Sequence, residues 1–136
     1  VQTCALPISN TLYTAGADVV FAVAGKTGLG VFESAKEHDK YAVGVDSDQK
    51  YIDPDHIICS MIKDIGGSIY NSIGMYIDDG VFDGGKIWSA DMTTGFVGIG
   101  YGDQSMTQQV GDEMKAEIDA LAKKIIDGEI VVESTR

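Results

Sequence analysis

Three short apolar runs constrain this chain most: "DVVFAVA" (18–24), "YAVGVD" (41–46) and "HIICSMI" (56–62), each of strand length. None alternates apolar with polar, so each reads as a strand covered on both faces, as in a parallel sheet. Between and after them lie segments with helical spacing. Alternation of strand and helix predicts an α/β fold: a parallel, doubly wound sheet with right-handed crossovers and helices on its faces.

The helical segments are readable one by one. "SNTLYTAGA" is the tail of a helix closed by Gly16. "TGLGVFESAKEH" places Leu29, Phe32 and Ala35 on one side. Ile65, Ile69, Ile73 and Ile77 recur every fourth residue up to Gly80. "KIWSADM" and "GFVGIGYG" predict two short, paired strands. A long helix is predicted to start at Ser105, which with Gln108 has capping-box spacing. Val110, Met114, Ile118, Leu121 and Ile125 form its stripe, and Gly128 stops it. "EIVV" reads as a last strand.

The first strand runs into Gly25-Lys26-Thr27-Gly28 and a helix start. A phosphate-binding P-loop needs a glycine five residues before its Gly-Lys-Thr, where Val20 stands here. The dinucleotide fingerprint G-x-G-x-x-G is also missing, because Gly25, Gly28 and Gly30 follow the order G-x-x-G-x-G. What remains is a βα turn whose N–H groups point out of a strand end. It suits a phosphate, a sugar hydroxyl or steric closure alone.

With 136 residues the chain suits one core, and a net charge of −11 argues against nucleic acid or anionic membranes as partners. In open α/β sheets ligands bind beyond the carboxyl ends of the strands. Here those ends carry the glycine turn, then Asp46, then Lys63 beside Asp64. Backbone donors, a carboxylate and an ammonium there suit sugar hydroxyls better than catalysis. From the residues alone other readings stay open: Asp46 as a loop cap, Lys63 as an ion-pair partner of Asp46 or Asp64, and Phe21 as core. "DSDQKYIDPD" lacks calcium-loop spacing, and no Ser or Cys has a triad around it, so neither a metal, a cofactor nor an enzyme is expected.

"GADVVFAVAGKTGLGVFESAK", "YAVGVDSDQ" and "CSMIKDIGGSIY" together, in this order, resemble the basic membrane protein family of substrate-binding lipoproteins, which includes purine nucleoside receptors of ABC transporters. The resemblance runs from about Thr11 to the end. It implies a type I periplasmic binding protein fold, of which this chain matches the C-terminal lobe, the N-terminal lobe being missing. It implies that Asp46 binds ribose hydroxyls and that Lys63 assists there. Gly25, Thr27 and Gly28 then supply turn contacts, and Phe21 packs on the base. The implied partners are a nucleoside and an ABC permease, at the cell surface or periplasm, with a lipid anchor on the missing N-terminus. The alternative is a ligand-sensing effector domain of a transcription regulator with the same fold.

"VQTCALPI" looks like a translated sequencing adapter. Residues 1–8 are therefore expected to stand outside the fold and residues 9–136 to form the lobe. On that reading Cys4 is neither lipidated nor paired, and Cys59 is a buried small hydrophobe.

Overall fold

The computed structural model describes residues 5–82 and 84–133. Four strands, β1 (Val19–Phe21), β2 (Tyr41–Asp46), β3 (Ile57–Lys63) and β4 (Val97–Gly100), form one sheet in that order. β1 pairs parallel with β2, and β2 parallel with β3. The helices are α1 (Ala5–Thr14), α2 (Leu29–Glu37), α3 (Ile65–Asp79) and α4 (Asp112–Ile126). The α/β architecture with a largely parallel sheet is the one expected. The chain divides into two compact units: one runs to Ile62 and takes in Ile99–Gly111, and the other holds Lys63–Gly98 and the chain from Asp112 on.

In the first unit, α1 and α2 pack on each other and on β1. Their core joins Tyr13, Val31, Phe32 and Ala35 to Ala22, Ala42 and Ile57, with Val20 and Leu29 at its margin. Polar contacts fix the docking. The Tyr13 hydroxyl donates to the Tyr41 carbonyl at 2.7 Å, and the Ser34 hydroxyl to Asn10 Oδ1 at 2.5 Å. Burial pushes the Tyr13 phenol up to about 12. Gly16, at φ +100°, follows α1 as expected, with the Ala17 N–H on the Leu12 carbonyl. The boundary drawn before residue 9 does not mark the start of an element: α1 begins at Ala5, which packs against the core. Cys4 and the residues before it lie outside the described residues.

β1 is shorter than its apolar run. Past Phe21 the Val23 N–H bonds the Phe21 carbonyl and the Ala24 N–H the Ala22 carbonyl, so the backbone curls and leaves the ladder. Nor is β1 covered on both faces, for Val19, Phe21 and Val23 are 44%, 50% and 70% exposed.

In the second unit α3 spans the predicted residues. Asp64 caps its start by accepting from the Gly67 N–H at 2.7 Å, and left-handed Gly80 ends it. Its isoleucine stripe is not buried among the described residues; Ile69 and Ile73 of it line a cavity of about 480 Å³ with Tyr76, Phe82 and Trp88. α4 carries Asp112 and Glu113 in its first turn and Lys123 and Lys124 in its last, complementing the helix dipole.

Three further expectations are corrected. α4 starts at Asp112, not Ser105, because the Ser105 hydroxyl and N–H both bond Asp103 Oδ1, and the Gln108 amide donates to the Tyr101, Asp103 and Met106 carbonyls. The capping box therefore never forms. "KIWSADM" is not a strand. Asp91 Oδ1 gathers the Thr93 N–H, the Thr93 hydroxyl and the Thr94 N–H into a tight turn, and β4 lies beside β3 in the sheet instead. "EIVV" forms no strand either: the Glu129 and Ile130 N–H groups both close on the Lys124 carbonyl behind Gly128.

Candidate functional site

The carboxyl ends of β1 and β2 build the first part of the site. After β1 the chain makes a 3₁₀ turn, Gly25–Gly28, which leads straight into α2 and packs beside β2. Gly25 is exposed with φ +52°. The Thr27 hydroxyl donates to the Ala24 carbonyl at 2.5 Å, so the donor is spent within the turn and its oxygen lone pairs remain as acceptors. Gly28 is buried against Ala22, whose carbonyl would sit 3.3 Å from an added Cβ. Phe21 is half exposed at the end of β1.

Asp46 ends β2 with an exposed side chain and φ +68°. The Ser47 N–H bonds the Val45 carbonyl at 2.8 Å across it. Asp46 is thus the centre of a positive-φ γ-turn, a rare and strained conformation for a residue with a Cβ. It stands at the carboxyl edge, where α/β sheets bind ligands. Lys63, exposed, is the last residue of β3 and the first of the second unit. In sheet register Asp46 stands opposite Ile62, the residue before it. Phe21, Gly25, Thr27, Gly28 and Asp46 share the first unit; Lys63 does not.

Behind Asp46 lies a polar core that sequence reasoning missed. Gln49 folds back so that its Oε1 accepts the Val45 N–H at 2.8 Å, and its own N–H donates to Ser60 Oγ at 3.0 Å. Gly44 makes room for this. A Cβ there would lie 2.6 Å from Ser60 Oγ and 2.8 Å from Gln49 Oε1. Asp48 accepts the Lys50 N–H through Oδ1 at 3.1 Å and the Gly102 N–H through Oδ2 at 2.8 Å. Lys50 is fully buried, and its ammonium donates to the carbonyls of Ile57 at 2.6 Å and Pro54 at 3.2 Å and to Gln109 Oε1 at 2.5 Å. The Gln109 amide in turn donates to the Pro54 and Asp55 carbonyls at 2.8 and 2.7 Å. Cys59 is half-buried at the margin of this core; burial pushes its thiol up, partly offset by the Lys50 ammonium. An apolar run carrying Gly44 and Ser60 at facing positions was a signal for polar packing here. A buried lysine had none, since lysines are almost never fully buried.

The family model and the curated relatives agree on one family. The family described as ABC transporter substrate-binding protein PnrA-like (Bmp) matches residues 3–136. Basic membrane protein C of Borreliella burgdorferi is 42% identical over 116 residues, which cover 84% of this chain and 32% of that protein. Basic membrane protein A of Borreliella afzelii is 34% identical over 127 residues, 92% of this chain and 38% of that one. The chain thus spans about a third of the length of these curated relatives. Among solved structures, a solute-binding protein of an ABC transporter system from Aeropyrum pernix K1 superposes with a TM-score of 0.75 at 23% identity, over 96% of this chain and 44% of that one. A transcriptional activator of the comK gene from Bacillus halodurans gives 0.80 at 20% identity, over 97% and 44%. At these identities the likeness of both structures is one of fold. The family match, by contrast, covers almost every residue: this chain belongs to the PnrA-like (Bmp) family of ABC transporter substrate-binding proteins.

Proposed function

We propose that the chain is part of an extracytoplasmic solute-binding protein that captures nucleosides, purine nucleosides foremost, for uptake by an ABC transporter. It acts as a binding protein and not an enzyme. Its partners are the nucleoside and a permease, and the parent protein is held at the membrane by a lipid anchor. Asp46 accepts two hydrogen bonds from the ribose hydroxyls and Lys63 donates to the sugar oxygens. Gly25, Thr27 and Gly28 line the sugar edge and Phe21 packs on the base. Residues 1–8 supply no ligand contact.

The observation that carries this reading is the strained γ-turn at Asp46, which presents an exposed carboxylate at the end of a parallel strand. Backbone strain of this kind costs on the order of 1–3 kcal/mol and persists where a site needs it. The alternative, a sensor domain of a transcription regulator, draws on the fold likeness to the comK activator. The family match supports transport instead.

Calorimetric or NMR titration of the chain with adenosine and with adenine tests the proposal. With Phe21, Asp46 and Lys63 exposed to water, adenosine affinity is expected to be no better than about millimolar, roughly −4 kcal/mol. A hydrogen bond to a charged group contributes about 1.5–3 kcal/mol. Asp46→Ala is therefore expected to weaken adenosine by about tenfold or more and leave adenine unchanged. Equal losses for both would refute the ribose role.

A further inference from the structure

We infer that Lys50 is the positioning residue of this site: its buried ammonium holds the loop after β2 in the one arrangement that keeps Asp46 in its strained conformation. As a claim about binding this rests on the proposal for Asp46; as a claim about conformation it stands alone.

A non-glycine residue at φ +68° relaxes unless the chain on both sides of it is fixed. On the strand side, Val45 is paired with Met61 in the sheet register, and its N–H is held by Gln49. On the loop side, Ser47 is exposed and its N–H closes only the γ-turn. Next along the chain, Asp48, Gln49 and Lys50 tie the loop down. Asp48 and Gln49 each engage one anchor outside the loop, Gly102 and Ser60.

Lys50 engages two outside the loop and a third within it. Its ammonium reaches the far end of the same loop at Pro54, the start of β3 at Ile57, and Gln109 in the segment after β4. Gly102, at φ +74°, lies so close that a Cβ on it would stand 2.7 Å from Lys50 Cδ. The ammonium thus ties three backbone segments of the first unit to one point. A fully buried charge is costly unless it is fully hydrogen-bonded, so these acceptors cannot drift away independently. Removing the charge takes one shared donor from the Pro54 and Ile57 carbonyls and from Gln109 Oε1 and leaves only the Gln109 amide on Pro54 and Asp55, so that the loop loses its tie to β3 and with it the reason to bend back at residue 46.

Lys50→Met keeps the length and apolar stem and removes the ammonium. The test is NMR of the ¹⁵N,¹³C-labelled 136-residue chain without ligand. A positive φ brings a residue's own amide and α protons unusually close, which gives Asp46 a strong intraresidue Overhauser effect. In folded Lys50→Met this signal is expected to drop to the level of the other β2 residues, with the amides of residues 47–49 shifted and those of α2 in place. Adenosine binding then falls by about tenfold, as in Asp46→Ala, while adenine binding holds. A general loss of stability would not single out Asp46. If Lys50→Met does not fold, Gln109→Leu, which removes one acceptor of the ammonium together with the amide donor to Pro54 and Asp55 and leaves the charge, decides on the same signal. A folded variant in which Asp46 keeps its strong signal overturns the inference. If instead the signal is lost but wild type and Asp46→Ala bind adenosine equally, Lys50 positions Asp46 and the nucleoside reading is wrong.

Discussion

Gly44→Ala puts one methyl group into the polar core behind Asp46, and the structure sets the cost. The new Cβ would stand 2.6 Å from Ser60 Oγ, 2.8 Å from Gln49 Oε1 and 3.1 Å from Gln49 Cβ. Real Cβ contacts are longer, so something must move. Neither neighbour is free to do so: Ser60 Oγ accepts the Gln49 N–H, and Gln49 Oε1 accepts the Val45 N–H. Overpacking of this kind costs about 1–3 kcal/mol. Displacing Gln49 leaves the Val45 N–H inside a buried residue without its acceptor, about 1–3 kcal/mol more. Alanine recovers roughly 0.5–1 kcal/mol of backbone entropy. The net loss is about 1–5 kcal/mol, a sizeable part of the roughly 5–15 kcal/mol that holds a domain. For 136 residues that lowers the melting temperature by roughly 3–20 °C. Urea unfolding followed by circular dichroism measures it, in a cycle with Ser60→Ala. Because Ser60 Oγ is the nearest obstacle, the two changes should couple by about 1 kcal/mol or more. A Gly44→Ala protein within about 0.5 kcal/mol of wild type, or a strictly additive cycle, would refute the reasoning.

Two further outcomes follow from other parts of the chain. Since burial raises the Tyr13 phenol from 10.0 to about 12, the folded state holds that proton more tightly than the unfolded state; stability from the neutral phenol is complete below pH 10.0 and is lost as pH rises toward 12. Urea midpoints across that window should fall for wild type and fall less for Tyr13→Phe, which at neutral pH is itself weaker by about 1 kcal/mol for losing the bond to the Tyr41 carbonyl. Gly80→Ala should cost about 1–2 kcal/mol, all of it backbone strain at φ +67°, because nothing lies within 4 Å of the new Cβ; Gly80→Asn should cost less, and a thermal melt comparing the two checks the ranking.

The elements legible in the sequence are those whose partners sit close by along the chain. β2 and β3 are continuous apolar runs that pair with each other, and α3 carries its isoleucines every fourth residue between an aspartate cap and a terminal glycine. α2 is set by Leu29, Phe32 and Ala35. Where reading failed, two local solutions were chemically available and a contact elsewhere chose between them. Ser105 and Gln108 have the groups of a capping box, but Asp103 and three carbonyls compete for them and win. "KIWSADM" has strand-forming residues, but the place beside β3 goes to β4 while Asp91 and its threonines close a turn. Valines 19 and 23 read as covered because hydrophobicity does not say whether a partner layer exists.

The same distinction separates what was legible in the site from what was not. A carboxylate at a strand end is a local fact, and Asp46 could be singled out from "YAVGVD" with the strand rule alone. Its positive φ is not local, because every preference of an L-residue opposes it. The conformation is imposed by Gln49, Asp48 and Lys50, which take their anchors from Ser60, Gly102 and Gln109. "DSDQK" therefore looks on paper like a hydrated acidic loop and folds instead as the scaffold of one residue. All three of its scaffold side chains satisfy backbone groups, and that of Lys50 brings a buried charge, the costliest group to place there unless every bond is made. A scaffold so dependent on complete bonding tolerates few substitutions behind Asp46. That is the reason Gly44, which touches no ligand in any reading, is expected to be among the least replaceable positions of the first unit.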